Sequence, residues 1–341
     1  MRDTLERALV SRWYRPRPAL WLMPLAWLYT ALAALAWLPW RIGLRQPWRA
    51  PCPVLVVGNL IVGGAGKTPT VIALVRALQA DGWHPGVVSR GHGRHTRGVQ
   101  HSGPDRSAQD IGDEPWLIAR VTGVPVVVGE RRVEAAQALL RANTGVDLLI
   151  ADDGLQHHAL GRDVELWVFD ERGTGNGARL PAGPLRQALP GELPPGVRVL
   201  YNAPTPSTPL PGATARRTLA GAVLLTDWLA GQPMDPAALA ALRGRPVLAI
   251  AGIAAPGRFF GMLRESGLDI TPLALPDHAD LAVPPWPPDT PEVLCTEKDA
   301  AKLDPAPCAG TRVWVVGLDF GLPRDLTREL GQLLARQPTR P

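Results

Sequence analysis

Short apolar runs, many of them β-branched, alternate with segments of helical spacing along most of the chain after residue 50. In the first half, strands are predicted at residues 53–57, 86–89, 124–128 and 146–151, and helices at residues 70–78, from residue 113 onward and at residues 133–140. In the second half, strands are predicted at residues 247–251, 270–275, 293–295 and 313–316, with a helix at residues 257–265. Such alternation is typical of parallel sheets covered by helices on both faces. A proline-rich connection at residues 204–211 separates the two halves, so we expect a boundary near residues 205–225.

Residues 18–40 form a different pattern, a run of 23 residues without a charge that is long enough to cross a bilayer as a helix. Tryptophans and arginines lie near both of its ends, as they do at membrane interfaces. Because arginines flank both ends and Pro24 interrupts the run, a helix lying in the interface fits as well as a spanning one. A cleaved signal peptide is disfavoured because no small-residue cleavage site follows. We expect residues 1–45 to be a membrane-associated helical segment.

The charge distribution supports this expectation. The net charge is +5, but residues 1–50 hold eight arginines against Asp3 and Glu6, a balance of +6, so the remaining residues sum to about −1. A basic terminus beside an apolar run indicates an anionic membrane surface, not nucleic acid, as the partner. The three cysteines lack the spacing of a zinc site or a disulfide framework, which fits a reducing compartment.

The segment VGNLIVGGAGKTPT, residues 57–70, is the first candidate for chemistry. It follows a predicted strand and precedes a predicted helix, the arrangement in which backbone N–H groups and the helix dipole converge on an anion. Gly66, Lys67 and Thr68 fit the phosphate-binding P-loop pattern, although Ile61 stands where its first glycine is expected. Lysine is rare in this arginine-rich chain, so Lys67 points to phosphate binding. The alternative is a glycine-rich turn that binds no ligand.

Two acidic pairs are candidates for metal binding and proton transfer. Asp152 and Asp153 follow a predicted strand, and an aspartate in this position holds Mg²⁺ together with a P-loop threonine, here Thr68. A simple turn before Gly154 is the alternative. The second pair begins a predicted helix and leaves two interpretations open.

Asp113 and Glu114 precede Pro115, which is expected at the first helical position. Adjacent carboxylates in a P-loop domain are candidates for a catalytic base and a metal ligand. Helix capping accounts equally well for Asp113. The basic loop at residues 90–97 adds Arg90 and Arg94, whose guanidinium groups suit an anionic substrate group, with a solvated basic loop as the alternative.

Eight segments together resemble the tetraacyldisaccharide 4'-kinase family, which phosphorylates a lipid A precursor in Gram-negative envelope synthesis. In chain order they are VGNLIVGGAGKTP (57–69), SRGHGR (89–94), GDEP (112–115), ADDGLQHH (151–158), LPAGPLR (180–186), AGIAAPGRFF (251–260), LPDH (275–278) and CTEKDAAKL (295–303). They occur in order over about 250 residues. The family's own P-loop has no glycine at the position of Ile61.

The resemblance implies an ATP- and Mg²⁺-dependent kinase that transfers the γ-phosphoryl group of ATP to the 4'-hydroxyl of a lipid disaccharide 1-phosphate, forming lipid IVA. It implies an enzyme of the inner membrane's cytosolic face with two α/β/α domains and the active site between them. Here these are a P-loop parallel-sheet domain at residues 46–210 and a second, smaller domain at residues 211–341 that completes the active site.

Roles for individual residues follow by matching the motifs. The nucleotide-binding residues are Gly63, Gly64, Ala65, Gly66, Lys67, Thr68 and Pro69. Asp113 is the base and His278 assists it; because they fall in different predicted domains, we expect domain closure to join them. The metal and nucleotide region includes Thr68, Glu114, Asp152 and Asp153. Arg186 contacts phosphate, in addition to Arg90 and Arg94 of the basic loop.

The chain departs from the family pattern at three positions: Gln187 stands where Glu is common, and Leu155 and His158 replace the commoner Phe and Arg. Two other classes remain as alternatives. One is a P-loop ATPase or GTPase switch at the membrane, although the T-E-K-D segment at residues 296–299 lacks the spacing that recognises guanine. The other is a catalytically silent membrane-binding module.

Overall fold

The computed structural model describes residues 9–308 and 310–337, and the chain divides into two compact units. The first unit contains residues 9–90, 124–215 and 322–337, and the second contains Gly91–Gly123 and Arg216–Gly321. The segment Gly91–Gly123 therefore belongs to a different unit from the strands that precede and follow it. A single boundary near residues 205–225 does not anticipate this arrangement.

The strands and helices are as follows in chain order. The strands are β1 (Val54–Gly58), β2 (Pro85–Ser89), β3 (Gln100–His101), β4 (Val126–Val128), β5 (Leu148–Asp152), β6 (Val164–Asp170), β7 (Val197–Asn202), β8 (Ala213–Thr214), β9 (Arg216–Leu224), β10 (Pro246–Ala251), β11 (Asp269–Ala274), β12 (Glu292–Thr296) and β13 (Arg312–Gly321). The helices are α1 (Met23–Arg41), α2 (Lys67–Ala80), α3 (Ala108–Ile111), α4 (Asp113–Thr122), α5 (Arg132–Ala142), α6 (Leu225–Leu229), α7 (Pro236–Ala240), α8 (Pro256–Glu265), α9 (Glu297–Ala300) and α10 (Arg324–Ala335).

The first unit is built on a parallel sheet of buried, largely apolar strands. Its strands lie in the order β4-β2-β5-β1-β6-β7-β8, and each of these strands runs parallel to its neighbours. β1 pairs with β5 on one side and with β6 on the other. The chain moves from β1 first to one side of the sheet and later to the other, and ligands bind at the carboxyl ends of strands beside such a reversal.

The second unit contains a five-stranded sheet in the order β11-β10-β12-β13-β9, in which β9 alone runs antiparallel to its neighbour. Phe259, Phe260 and Leu263 on α8 pack against its buried residues, which include Ala249 and Leu294. The predicted α/β class with parallel sheets is confirmed. Every predicted strand and helix is present, with bounds that shift by a few residues. The longer elements that were not predicted are β6, β7, β9 and α10, and the short elements β3, β8, α3, α6, α7 and α9 were not predicted either.

The apolar run forms the 3₁₀ turn Leu20–Leu22 followed by α1. Pro24 was expected to interrupt the helix, but it lies in the first turn of α1. No intrahelical hydrogen bond needs its nitrogen there, so the helix is not interrupted. In the part of the chain that the structure describes, Leu20–Arg41 is the one helix long and apolar enough to cross a membrane, and 11% of its most apolar window is buried. Its leucine side chains are mostly exposed, among them Leu28, Leu32 and Leu35.

The amino-terminal part of this helical segment is packed against the first unit. Leu22 and Ala26 are buried against Ala182. The Tyr29 hydroxyl donates a hydrogen bond to the backbone carbonyl of Arg186 at 3.0 Å. The segment is therefore joined directly to a residue predicted to contact phosphate.

Candidate active site

The glycine-rich loop joins β1 to α2 and passes twice through left-handed backbone. Gly63 has φ +97° and Gly66 has φ +85°, conformations that residues with a Cβ disfavour. Gly66 also has no room for a side chain, because an added Cβ would lie 1.8 Å from Nδ2 of Asn202, which donates to the carbonyl of Ala65 at 3.0 Å. Ile61 is fully buried, so it serves as a core residue in place of the usual first glycine.

A second side chain from outside the motif, Arg172, also holds the loop. Arg172 donates from Nη2 to the carbonyl of Gly64 at 2.6 Å, and a salt bridge of 2.8 Å to Asp170 fixes its guanidinium group. Neither Arg172 nor Asn202 was predicted from the sequence, because they lie more than a hundred residues along the chain from the loop. Arg172 follows β6 and Asn202 ends β7, and neither of these buried strands was predicted.

Lys67, the predicted phosphate-binding lysine, lies between an amide oxygen and a carboxylate. Its Nζ donates to Oδ1 of Asn59 at 3.1 Å and lies 3.6 Å from Oδ1 of Asp153. The same oxygen of Asp153 lies 3.4 Å from Nη1 of Arg186, which also donates to Gln156 at 3.1 Å. The structure thus brings three predicted site residues, Lys67, Asp153 and Arg186, to one place.

The charge of Asp153 follows from this arrangement. Burial raises the pKa of its carboxyl group, but Lys67 and Arg186 outweigh burial, and the net pKa lies below its ordinary value. Asp153 therefore stays ionised near neutral pH. Because the two cations already converge on oxygen, they are suited to bind the oxygens of a phosphate group.

Thr68 and Asp152 are the described residues that best fit a role in Mg²⁺ binding. Asp152 ends β5 opposite Val57 of β1 and accepts a hydrogen bond from Ser89 Oγ at 3.1 Å, while Thr68 lies in the first turn of α2. Within residues 9–308 and 310–337, no group of three His, Cys, Asp or Glu side chains is placed to hold a metal ion. Mg²⁺ bound with a nucleotide needs only one or two protein oxygens, so a hydroxyl and a carboxylate fit it.

The basic residues predicted to contact phosphate fall in different units. Arg90 ends the first part of the first unit, and Arg94 belongs to the second unit, where its backbone N–H donates to Gly91 at 3.4 Å. Burial, Arg132 and Arg90 lower the pKa of His157 to about 4, so its imidazole is neutral near pH 7. The phosphate-binding roles of Arg90 and Arg94 stay predictions.

A second cluster of charged groups lies wholly within the second unit. His278 Nδ1 is 3.0 Å from Asp113 Oδ2. Lys298 Nζ donates to Glu114 Oε1 at 3.0 Å and to Asp277 Oδ1 at 3.2 Å, and it lies 3.4 Å from His278 Nε2 and 3.9 Å from Asp113 Oδ2. One ammonium group therefore contacts three carboxylates and the imidazole.

The contacts of this cluster set the protonation of the Asp113–His278 pair. Burial raises the pKa of Asp113, but the hydrogen bond from His278 and the charge of Lys298 outweigh it, and the net pKa lies below its ordinary value. The hydrogen bond to Asp113 raises the pKa of His278, while burial and Lys298 act in the opposite direction. An ammonium group next to Nε2 favours the tautomer with its proton on Nδ1, directed at Asp113.

The expectation of domain closure around Asp113 was wrong, the capping alternative is excluded, and the expected position of Pro115 is corrected. Asp113 and His278 lie in the same compact unit, because Gly91–Gly123 folds with the second sheet, so their contact requires no domain closure. Helix α4 begins at Asp113 with Gly112 as its cap, so Asp113 is not the capping residue, and Pro115 is the third helical residue instead of the first.

Lys298 is the member of this cluster that sequence analysis missed. It is one of three lysines in the chain and lies in the TEKD segment, which was the available signal. Glu114, predicted as a metal ligand, contacts Lys298 in the structure, and its metal role stays a prediction. Burial lowers the pKa of Lys298, but Glu114, Asp113 and Asp277 outweigh burial and the pKa is raised, so the ammonium group is permanently charged.

Comparison with known proteins gives concordant matches along nearly the whole chain. The model of the family "Tetraacyldisaccharide-1-P 4'-kinase" matches residues 18–335. The tetraacyldisaccharide 4'-kinase of Methylibium petroleiphilum is 55% identical over 327 residues, which cover 94% of this chain and 91% of that protein. The protein of the same name from Leptothrix cholodnii is 48% identical over 98% of both chains.

Among solved structures, the crystal structure of "apo" form LpxK from Aquifex aeolicus in complex with ATP has the same fold. The TM-score is 0.74, and the alignment covers 92% of this chain and 98% of the other. Sequence identity is 24%, so this likeness supports the fold.

Replacing Lys298 by Met should move the acid limb of the kcat/KM profile to higher pH. The variant removes a positive charge that lowers the pKa of Asp113 and leaves Glu114 and Asp277 without their shared cation, and both changes raise that pKa. The measurement is kcat/KM for phosphoryl transfer from ATP as a function of pH, in the wild type, Lys298→Met and Lys298→Arg. The Arg variant should restore most of the wild-type profile, and a rate lowered equally at every pH would contradict the assignment.

Proposed function

Because the chain belongs to the tetraacyldisaccharide 4'-kinase family, we propose that it transfers the γ-phosphoryl group of ATP to the 4'-hydroxyl of a tetraacylated glucosamine disaccharide 1-phosphate, yielding lipid IVA. The observation that carries this proposal is the convergence of Lys67 and Arg186 on one carboxylate beside a glycine-rich loop. Asn202 and Arg172 hold that loop in the shape that exposes backbone N–H groups to an anion.

The residues of the first unit supply binding and charge compensation. When bound, ATP provides the phosphoryl group and Mg²⁺ neutralises part of its negative charge. Lys67 would compensate charge on the phosphates and Thr68 and Asp152 would hold the metal ion, while Asp153 keeps Lys67 and Arg186 in place. Arg186 then has a geometry suited to a phosphate oxygen of either substrate.

The residues of the second unit activate the acceptor. Asp113, ionised at neutral pH, accepts the proton of the sugar hydroxyl, and His278 orients the carboxylate through the hydrogen bond at Nδ1. Lys298 holds the imidazole and the neighbouring carboxylates in fixed positions. Phosphoryl transfer needs little covalent chemistry from a protein, so positioning and charge compensation are sufficient.

A guanine-binding switch is a weaker candidate because of the contacts within the TEKD segment. Asp299, which would have to bind the base, is fully buried. Its carboxylate accepts hydrogen bonds from the backbone N–H of Gly252 at 3.1 Å and from the Thr296 hydroxyl at 2.7 Å. This segment therefore stabilises the second unit and supplies Lys298 to the charged cluster.

Labelled ATP incubated with the disaccharide 1-phosphate in detergent should give a doubly phosphorylated lipid. Lys67→Ala should nearly abolish this product, because the ammonium group compensates charge at the transferring phosphoryl group. Arg76→Ala, which removes an exposed cation from the same helix, is the matched control and should retain the wild-type rate. A wild-type rate in Lys67→Ala would refute the P-loop assignment, and the absence of transfer in the wild type would refute the proposed reaction.

Asp113→Ala and His278→Ala should each lower kcat by more than tenfold with little change in KM for ATP, within the roughly 10²–10⁴-fold range of general-base catalysis. The double variant should lose much less than the product of the two effects, because hydrogen-bonded residues that act as a unit are non-additive. Single-turnover rates for the two single variants and the double variant test this. Multiplicative losses would mean that the two residues act independently.

We further propose that the protein acts at the cytosolic face of the inner membrane and is attached by α1.

Removing the whole amino-terminal segment, residues 1–45, is a poor test of this attachment, because Trp13 is buried and its Nε1 donates to the carbonyl of Pro181 at 2.9 Å. Leu28, Leu32 and Leu35 are exposed, so the triple Glu variant should shift the full-length protein from the membrane to the soluble fraction, whereas the triple Ala variant should stay on the membrane. Both should phosphorylate detergent-dispersed acceptor, and a triple Glu variant that remains membrane-bound would place the attachment elsewhere.

A further inference from the structure

A pocket separate from the residues around Lys67 opens where helix α1 ends. Its volume is about 220 Å³, and its lining includes Trp37, Trp40, Arg41, Arg49, His158 and Arg162. Two segments of the first unit form it: the end of α1 with the connection to β1, and the turn between β5 and β6. Among the described residues that line it there is no carboxylate, so the pocket carries an excess of positive charge.

The three arginines contribute differently to this charge. Arg162 donates to the carbonyls of Leu155 and His157 and to Glu165, so its role is to hold the turn. Arg41 lies over the Trp37 ring at 5.7 Å. Arg49 is half exposed and lies 3.9 Å from Asp163, a distance too long for a hydrogen bond. Arg41 and Arg49 therefore retain donors for an anion that enters the pocket.

The other walls of the pocket are apolar or neutral. Burial and then the charge of Arg162 lower the pKa of His158, so its imidazole is uncharged near pH 7, and the ring lies 6.1 Å from that of Trp37. Leu38, which lies three residues before Arg41 on α1 and therefore neighbours it on the helix surface, is exposed, and exposed Ile42 and Leu44 follow the helix. An occupant that satisfies the whole site has an anionic group attached to an apolar chain.

We propose that this pocket binds the phosphate headgroup of an anionic membrane phospholipid, with the acyl chains lying along α1. The proposal extends the membrane attachment proposed above and rests on it. Arginine binds phosphate oxygens through paired hydrogen bonds, and tryptophan is favoured at the depth of lipid headgroups. The pocket would therefore bind one lipid molecule, in addition to the general attraction between a basic terminus and an anionic surface.

The test compares two double variants with the same change in charge. Arg41→Gln/Arg49→Gln removes the two available guanidinium groups of the pocket. Arg15→Gln/Arg17→Gln removes two exposed arginines of the same amino-terminal segment that do not line it. Full-length proteins are sedimented with vesicles of phosphatidylcholine alone or mixed with phosphatidylglycerol, and melting temperatures confirm that both variants are folded.

The pocket variant should lose roughly tenfold or more of the binding gained from phosphatidylglycerol, because direct hydrogen bonds to charged groups are lost, and the control variant should lose much less. Native mass spectrometry of the wild type in mixed micelles should show one retained phosphatidylglycerol, absent from the pocket variant. Equal losses in the two double variants would mean diffuse attraction and would overturn the proposal.

Kinase assays separate this proposal from the proposed reaction. In detergent without phospholipid, the pocket variant should phosphorylate the disaccharide with wild-type kcat and KM. A raised KM for the disaccharide would assign the pocket to the substrate, and loss of the phosphatidylglycerol effect on adding inorganic phosphate would assign it to a free anion; either result would overturn the phospholipid assignment. Failure of all variants to transfer phosphate would refute the proposed reaction and leave the vesicle result intact.

Discussion

Asp153 remains charged inside the first unit because Lys67 and Arg186 lie beside its carboxylate, and the candidate phosphate site depends on that interaction. Without these cations the pKa of the partly buried Asp153 carboxyl group would be higher, and without the carboxylate the two cations would repel one another. With the carboxylate between them, both cations are held at the carboxyl end of the sheet next to the glycine-rich loop. The loop in turn keeps its shape because Asn202 and Arg172 donate to its carbonyls.

The charges are reversed in the second unit, where three carboxylates surround one ammonium group. Lys298 lets Asp113, Glu114 and Asp277 remain close together, and His278 completes the cluster through Asp113. A carboxylate whose pKa is lowered is a weak base. Weak basicity is adequate for phosphoryl transfer, in which the transition state is loose and the attacking hydroxyl loses its proton late. The arrangement therefore favours fixed position over proton affinity.

The parts of the site that could be predicted from the sequence are those encoded by local pattern. Lys67 and Thr68 follow a strand and a glycine turn, and Asp152 and Asp153 follow a buried run, so their placement at one sheet edge follows from chain direction. The partners that arrive from distant segments could not be predicted in this way. Arg172 and Asn202 depend on which strands neighbour β1, and Asp113 joins His278 because an internal segment folds with the other unit, which no property of residues 91–123 alone indicates.

The contact between Tyr29 and the backbone of Arg186 has a mechanical consequence. Arg186 reaches Asp153 and, through it, Lys67, so a continuous series of contacts joins helix α1 to the glycine-rich loop. A bilayer that fixes the depth of α1 would thereby also fix the height of that loop above the lipid headgroups. An acceptor held in the membrane by its acyl chains also lies at a fixed depth. This series of contacts would then set the distance between the phosphate donor and the sugar hydroxyl along the membrane normal. Diffusion in the membrane plane would be sufficient to bring the two together.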